Sequence, residues 1–259
     1  MNINEYDQEI IKQVAGILKN QRRVLFITGA GISAESGLPT YRGIGGLYEN
    51  NLTHDGLSIE EALSGEVLRR TPELTWKYLS QIEQSCRNAT YNDAHRIIAQ
   101  MERRFEDVWV LTQNVDGFHH DAGSNNVIDI HGDLHDLECM QCSYNTHVPD
   151  YSELKIPPVC PQCNSMVRPQ VVLFGEMLPQ DKTAQLIQEL QEGFDMVFTI
   201  GTTSVFPYIA HPVVQAKQRG VPTVEINPGD THVSRIVDYK IKAGAAVSLT
   251  AIWNYLQPC

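Results

Sequence analysis

The chain contains no run of about eighteen apolar residues, so nothing in it reads as a membrane-spanning helix. Its start, Met1-Asn2-Ile3-Asn4-Glu5, lacks the basic residues and apolar centre of a secretory leader, and a cytoplasmic protein is expected. Positive charge is scarce: 20 Lys and Arg against 31 Asp and Glu leave a net charge of -11. That balance opposes attraction to a polyphosphate backbone and argues against nucleic acid as a direct partner. Internal repeats, low-complexity tracts and extended charge runs are missing. Only six cysteines occur, and four stand in two C-x2-C pairs, which suits thiolate metal binding in a reducing compartment better than a disulfide framework.

What remains is a 259-residue chain, 42% hydrophobic, long enough for one main domain over 1–259. Tyr6, Ile10, Val14 and Ile17 repeat at helical spacing and predict an N-terminal amphipathic helix ending near Lys19-Asn20. Short apolar runs follow at 24–27, 108–111, 127–128, 197–200 and 223–226, near-continuous as in strands buried on both faces of a parallel sheet. Helical patterns at 94–101, 184–190 and 213–217 fall between them. The alternation predicts an α/β fold, a doubly wound Rossmann-like parallel sheet. Two stretches break the alternation, 41–90 and 135–169. They are expected to form a smaller inserted lobe, a helical module and a zinc ribbon folded together.

Gly29-Ala30-Gly31-Ile32-Ser33-Ala34 follows the first strand as G-x-G-x-x-A, a dinucleotide loop whose second glycine would admit the pyrophosphate and whose following helix would face it. A ribose-binding acid should stand about 20 residues on; Glu49 has the spacing, yet its surroundings are no strand, so this is not a standard dehydrogenase half. Gly201-Thr202-Thr203 and Asn227-Pro228-Gly229 each follow a predicted strand and are placed on the same crevice. Cys139, Cys142, Cys160 and Cys163, with 17 residues between the pairs, are expected to hold a zinc ion with four thiolates. A filled tetrahedron leaves no position for water, which makes the zinc structural rather than catalytic. His135 and His147 lie nearby and are read as solvated histidines. Gln113-Asn114-Val115-Asp116 and His131-Gly132 also follow strands and face the crevice. From position alone, His131 is either a general base or a core histidine with satisfied hydrogen bonds.

Taken together, GAGISAESGLPTYRG (29–43), TQNVDGFHHDAGS (112–124), IHGDL (130–134), the cysteine array, FGEMLP (174–179), GTTSVFP (201–207) and INPG (226–229) resemble, in order, the motifs of the sirtuins, NAD-dependent protein lysine deacylases. The resemblance implies that NAD is consumed as a co-substrate, nicotinamide leaving and the acyl group ending on ADP-ribose. It implies that His131 is the base, that Asn114 and Asp116 hold nicotinamide and its ribose beside Gln113, and that Gly29, Ala30, Gly31, Ser33, Thr40, Tyr41 and Arg42 line the cofactor. Tyr41 stands where phenylalanine is commoner in the family. Ala246 is expected under the adenine, with Ala245 almost as good a match. Val172, Phe174, Gly175 and Glu176 would meet the acyl-lysine peptide by strand pairing. Family members that remove acidic acyl groups carry a tyrosine and an arginine where this chain has Leu79 and Ile82, so neutral acyl groups are expected. ADP-ribosyl transfer or NAD hydrolysis in the same crevice, an NAD-binding zinc adaptor and an oxidoreductase are the competing readings.

Overall fold

The computed structural model describes residues 3–38 and 52–257. Helix α1 (Glu5–Leu18) begins where the Asn4 side chain accepts from the Asp7 amide, a standard N-cap. Its buried stripe is Ile10, Ile11, Val14 and Leu18, while Tyr6 is 75% exposed, so the apolar face is turned by about one residue from that predicted. Strand β1 (Arg23–Thr28) follows. Helices α2 (Ile59–Ala62), α3 (Gly65–Arg70) and α4 (Pro72–Cys86) come next, the first two started by Ser58 and Ser64 as N-caps. Then come α5 (Asp93–Met101), β2 (Asp107–Thr112), the single turn α6 (Phe118–Asp121) and β3 (Val127–Asp129). Strands β4 (Gly132–Cys139), β5 (Asn145–His147) and β6 (Val167–Val171) form a small antiparallel sheet in the order β5-β4-β6. The chain closes with α7 (Gln180–Glu192), β7 (Met196–Ile200), α8 (Pro207–Gln218), β8 (Thr223–Ile226), β9 (Tyr239–Ile241) and α9 (Ala245–Leu256).

The main sheet is parallel throughout, in the order β3-β2-β1-β7-β8-β9. Alternate residues of β1 explain its unbroken hydrophobicity. Val24 and Phe26 point into a core with α1, α5 and α9, whereas Leu25 and Ile27 point into a second layer with α7 and α8. Phe26 stacks on Phe198 of β7 with ring centroids 4.9 Å apart. The strand order reverses between β1 and β7. Loops leaving the carboxyl ends of these two strands therefore bound a crevice at the switch point.

A separate core joins the helical stretch to the small sheet. Trp76 is fully buried, its ring 5.4 Å from that of Tyr151, and Leu68, Leu79 and Ile82 pack with Leu137, Val167, Val171 and Leu173.

Two fully buried histidines lie under the site-bearing loops. His95, near the start of α5, and His119, in α6, have rings 4.8 Å apart, and His119 Nε2 is 3.0 Å from Thr28 Oγ1. Burial holds His95 down at about 4 and His119 well below the usual 6.5. A histidine whose folded pKa lies below its unfolded one favours the unfolded chain when it takes a proton. Its contribution is complete above the unfolded value and is lost as pH falls through 6.5 towards 4. By about pH 5.5 each should cost about 1 kcal/mol. Urea midpoints at pH 7.5 and 5.5 would measure this, and the drop should shrink in His95→Gln; equal midpoints would mean the pair does not resist protonation.

Candidate active site

The glycine loop meets the loop after β7 at backbone distance. The Gly31 amide donates to the Gly201 carbonyl at 2.8 Å, and the Gly29 amide to Ile200 at 3.1 Å. A Cβ on Gly31 would lie 2.6 Å from Gly201 Cα, and one on Gly29 2.8 Å from Thr202 Cβ. Both glycines are thus required already by the neighbouring strand's loop. The predicted helix does not follow directly. Ala30–Ile32 and Ala34–Ser36 are single 3-10 turns ended by Gly37 at φ 87°, because the Ile32 carbonyl accepts from Asn92 Nδ2 at 2.8 Å instead of continuing an α-helical ladder. Thr40, Tyr41 and Arg42 lie outside the described residues.

Ser33 is the hub of the polar cluster. Its hydroxyl donates to Asp116 Oδ2 at 2.7 Å and accepts from Asn114 Nδ2 at 3.2 Å, while Asn114 Nδ2 also lies 3.3 Å from the Gly29 carbonyl. All three side chains are buried. Burial pushes the Asp116 carboxyl up, against hydrogen bonds from Ser33 and the Phe118 amide that hold it down. Gln113 crosses to the other wall, its Nε2 donating to Thr202 Oγ1 at 2.7 Å. Asn227 joins that wall through Nδ2 to the Thr202 carbonyl at 3.2 Å and accepts the Gly229 amide on Oδ1. Thr203 is exposed, and its carbonyl takes the His232 amide. Pro228 and Gly229 are exposed, the Gly229 carbonyl being held by Lys240 Nζ at 2.7 Å. Of the two candidate alanines, Ala245 is spent in the core; Ala246 is half-buried, its amide bound to Glu35 at 2.7 Å.

His131 follows β3. The Gln113 carbonyl 2.9 Å from its Nδ1 can only accept, so the proton sits on Nδ1 and Nε2 is left as an acceptor. Tyr208 Oη lies 2.7 Å from that Nε2, and the rings of Phe206 and Tyr208 meet the imidazole edge-on. Burial lowers the His131 pKa, opposed by the Gln113 hydrogen bond. Gly132 then turns the chain at φ 84°, where a Cβ would fall 1.7 Å from the Gln170 carbonyl. Gly132→Ala should therefore destabilise the fold by about 2–4 kcal/mol and displace His131. A variant melting within about 1 kcal/mol of the parent would show that the small sheet yields there.

Ala30, Ser33, Leu38, Asn114, Val115 and Asp116 line a crevice completed by Ser85 and Cys86 from the last turn of α4. Leu79 and Ile82 do not line it; both face the core around Trp76, at 2% and 6% exposure. Register explains the difference, since only the end of α4 reaches the crevice. Burial raises the Cys86 thiol to about 12, so it is an uncharged wall. Sequence reading missed Ser85, Cys86 and Tyr208, none of which stands in a strand-end polar cluster, and gave Phe206, inside the 201–207 motif, no role.

Beyond β6, the Phe174 amide donates to Leu63 at 2.9 Å and its carbonyl accepts from Gly65 at 3.1 Å. Strand pairing by Phe174 is therefore already used within the chain, although its side chain remains exposed. Glu176 is bound by both Arg168 terminal nitrogens and the Leu173 amide. Val172 is half-buried and donates its amide to the His131 carbonyl; Gly175 makes a left-handed turn at φ 80°.

The four cysteine sulfurs lie within 4.8 Å of one another. Cys139 and Cys163 are separated by 3.4 Å and Cys142 and Cys160 by 3.6 Å, close to the edge of about 3.8 Å expected for a tetrahedron of zinc–sulfur bonds. The Gln141 and Gln162 amides approach Cys139 and Cys160 sulfurs as knuckle hydrogen bonds, which favour thiolates. His135 and His147 are instead bound to Asp133 and Asp136. The donor set fits a closed structural zinc site.

Comparison with known proteins agrees with this geometry. "NAD-dependent protein deacylase 2" of Pseudomonas aeruginosa is 48% identical over 238 residues, 91% of this chain and 93% of that protein. "NAD-dependent protein deacylase" of Aquifex aeolicus is 36% identical over 240 residues, 90% and 95% of the two chains. The solved Sir2 homologue–NAD complex superposes with TM-score 0.84 at 33% identity, covering 95% of each chain. A Sir2 complex with p53 peptide and NAD+ gives 0.81 at 28%, over 94% of this chain and 97% of that one. The model of the Sir2 family matches residues 29–207, from the glycine loop through the polar cluster and the four cysteines to the loop after β7, and the chain belongs to that family.

Proposed function

We propose that this chain removes acetyl or another neutral acyl group from protein lysine in an NAD-dependent reaction, with His131 as general base. Its assignment as an NAD-dependent protein deacylase follows from its family and its curated relatives. The carrying observation for the finer reading is the fixed tautomer of His131: Nδ1–H is tied to the Gln113 carbonyl, which leaves Nε2 unprotonated and able to accept a proton. When bound, NAD supplies an electrophilic ribose carbon and the hydroxyl that His131 would deprotonate. Asn114, Asp116 and Ser33 would grip the nicotinamide and ribose end, and Gly29, Ala30, Gly31, Gln113 and Thr202 the adjoining backbone wall. Thr203, the 227–229 loop and Ala246 would take the adenosine end. Orientation of one glycosidic bond is the work such a fixed polar cluster can do.

The peptide would lie along Val172, the exposed Phe174 side chain and Gly175, with Glu176 shaping the turn through Arg168. We place the lobe boundaries at 41–90 and 135–169. Among the described residues, Ser85 and Cys86 bring no cation to the crevice and Leu79 and Ile82 none behind it, so an acidic acyl group would find no charge partner on this wall. Mass spectrometry with NAD and paired acetyl- and succinyl-lysine peptides tests both points. Equimolar free peptide, nicotinamide and O-acetyl-ADP-ribose, with the succinyl peptide at least about tenfold slower, is the expected result. Free ADP-ribose or modified protein beside an intact acetyl peptide would replace the deacylase by an NAD hydrolase or ADP-ribosyltransferase. A faster succinyl substrate would overturn the acyl assignment.

A further inference from the structure

The lone pair of His131 Nε2 is already filled. With the ring proton held at Nδ1, the 2.7 Å contact at Nε2 makes Tyr208 the donor. Tyr208 stands in the first turn of α8, directly after Pro207, whose ring fixes the start of that helix. Its own ring stacks on Phe206 at 5.4 Å and 13°, and both rings meet the imidazole at 5.9 Å, inclined by 84° and 85°. Burial raises the phenol to about 12, which keeps it protonated at neutral pH.

A base in this state can take a substrate proton if its partner leaves or if its partner passes the proton on. Leaving would break the stack on Phe206 and turn Tyr208 away from the helix start. Passing the proton on needs no such movement, because a phenol oxygen that donates its own proton still has lone pairs with which to accept another. We propose that Tyr208 is the proton relay between the substrate hydroxyl and His131, a role that rests on His131 being the base of the deacylation. The substrate O–H breaks and its proton goes to Tyr208 Oη, while the original Tyr208 O–H breaks and its proton goes to His131 Nε2. Tyrosine ends neutral, the imidazole carries the positive charge, and the electron pair left on the substrate oxygen becomes the nucleophile. No tyrosinate forms, so the high phenol pKa is no obstacle. The chemical class served is a sugar hydroxyl, which has no useful acidity of its own at neutral pH.

Tyr208→Phe removes one oxygen and keeps the ring. Single-turnover deacylation of an acetyl-lysine peptide at saturating NAD should slow about a hundredfold. Calorimetric affinities for NAD and peptide should stay within about twofold, a loss confined to the chemical step. Rates in mixed H2O and D2O should give a curved proton inventory in the parent, where two protons move, and a straight one in the variant. In the ligand-free protein, an NMR titration should show the His131 pKa rising in Tyr208→Phe, because a hydroxyl donated to Nε2 favours the neutral ring. A variant as fast as the parent, or faster, would make Tyr208 a removable plug and overturn the relay while leaving His131 in place. A straight inventory in the parent would do the same. Full single-turnover activity in His131→Ala would instead remove the base itself, an outcome separable from any result at Tyr208.

Discussion

Replacing His131 by alanine is expected to slow single-turnover deacylation by about a hundredfold to ten-thousandfold, or ~3–5 kcal/mol in the barrier, with little loss of fold. The fold should survive because the links from this residue to the small sheet are backbone: its carbonyl holds the Val172 amide, and Gly132 begins β4. What is lost is the ring whose Nε2 meets the Tyr208 hydroxyl. The pH profile adds an independent sign. The active form is the neutral ring, and burial has moved its pKa below 6.5. The acid limb of kcat/KM should therefore lie below pH 6.5, with activity flat from there through neutrality. A fully active alanine variant, or an acid limb above the ordinary histidine value, would take His131 out of the base role.

The central strands were legible because a strand buried on both faces must be apolar at successive positions. β1 meets that demand with Val24 and Phe26 on one side and Leu25 and Ile27 on the other. β9 was not legible, for the converse reason. It is a three-residue edge strand, Tyr239-Lys240-Ile241, whose central residue turns a charge towards Glu225 of β8, bound at 2.8 Å. The glycine pattern located the crevice, yet the helix expected after it was replaced by 3-10 turns through one long-range contact from Asn92. Tyr208 was invisible for a related reason: it is 77 positions from His131, and only a contact between the turn joining β3 to β4 and the first turn of α8 brings the two together. Leu79 and Ile82 illustrate a third limit. Their helix was anticipated, but which face it turns to the crevice depends on how α4 rotates around Trp76. Local pattern thus specified the elements, while contacts between distant segments decided which side chains enter the site.

Removing the zinc should unfold the small lobe first and take activity with it. Structural zinc contributes on the order of 10 kcal/mol in small zinc-binding peptides, more than the remaining contacts of a short three-stranded sheet supply. Cys139 and Cys160 are buried in the same core as Trp76, Val171 and Leu173, so the metal site and the hydrophobic contacts of this lobe fail together. The cores flanking the main sheet draw on other residues and should persist. A strong chelator, or Cys160→Ser, should thus produce an early melting step that leaves much of the far-ultraviolet signal intact. Activity should fall in parallel with that step, because Val171 and Leu173 lead into the Val172–Glu176 segment and the Val172 amide is bound to the His131 carbonyl. Activity lost while melting stays unchanged would make the metal catalytic and contradict the closed four-thiolate site. Chelation without effect on either would show that the four sulfurs hold no metal, leaving their 4.8 Å cluster to be explained by packing alone.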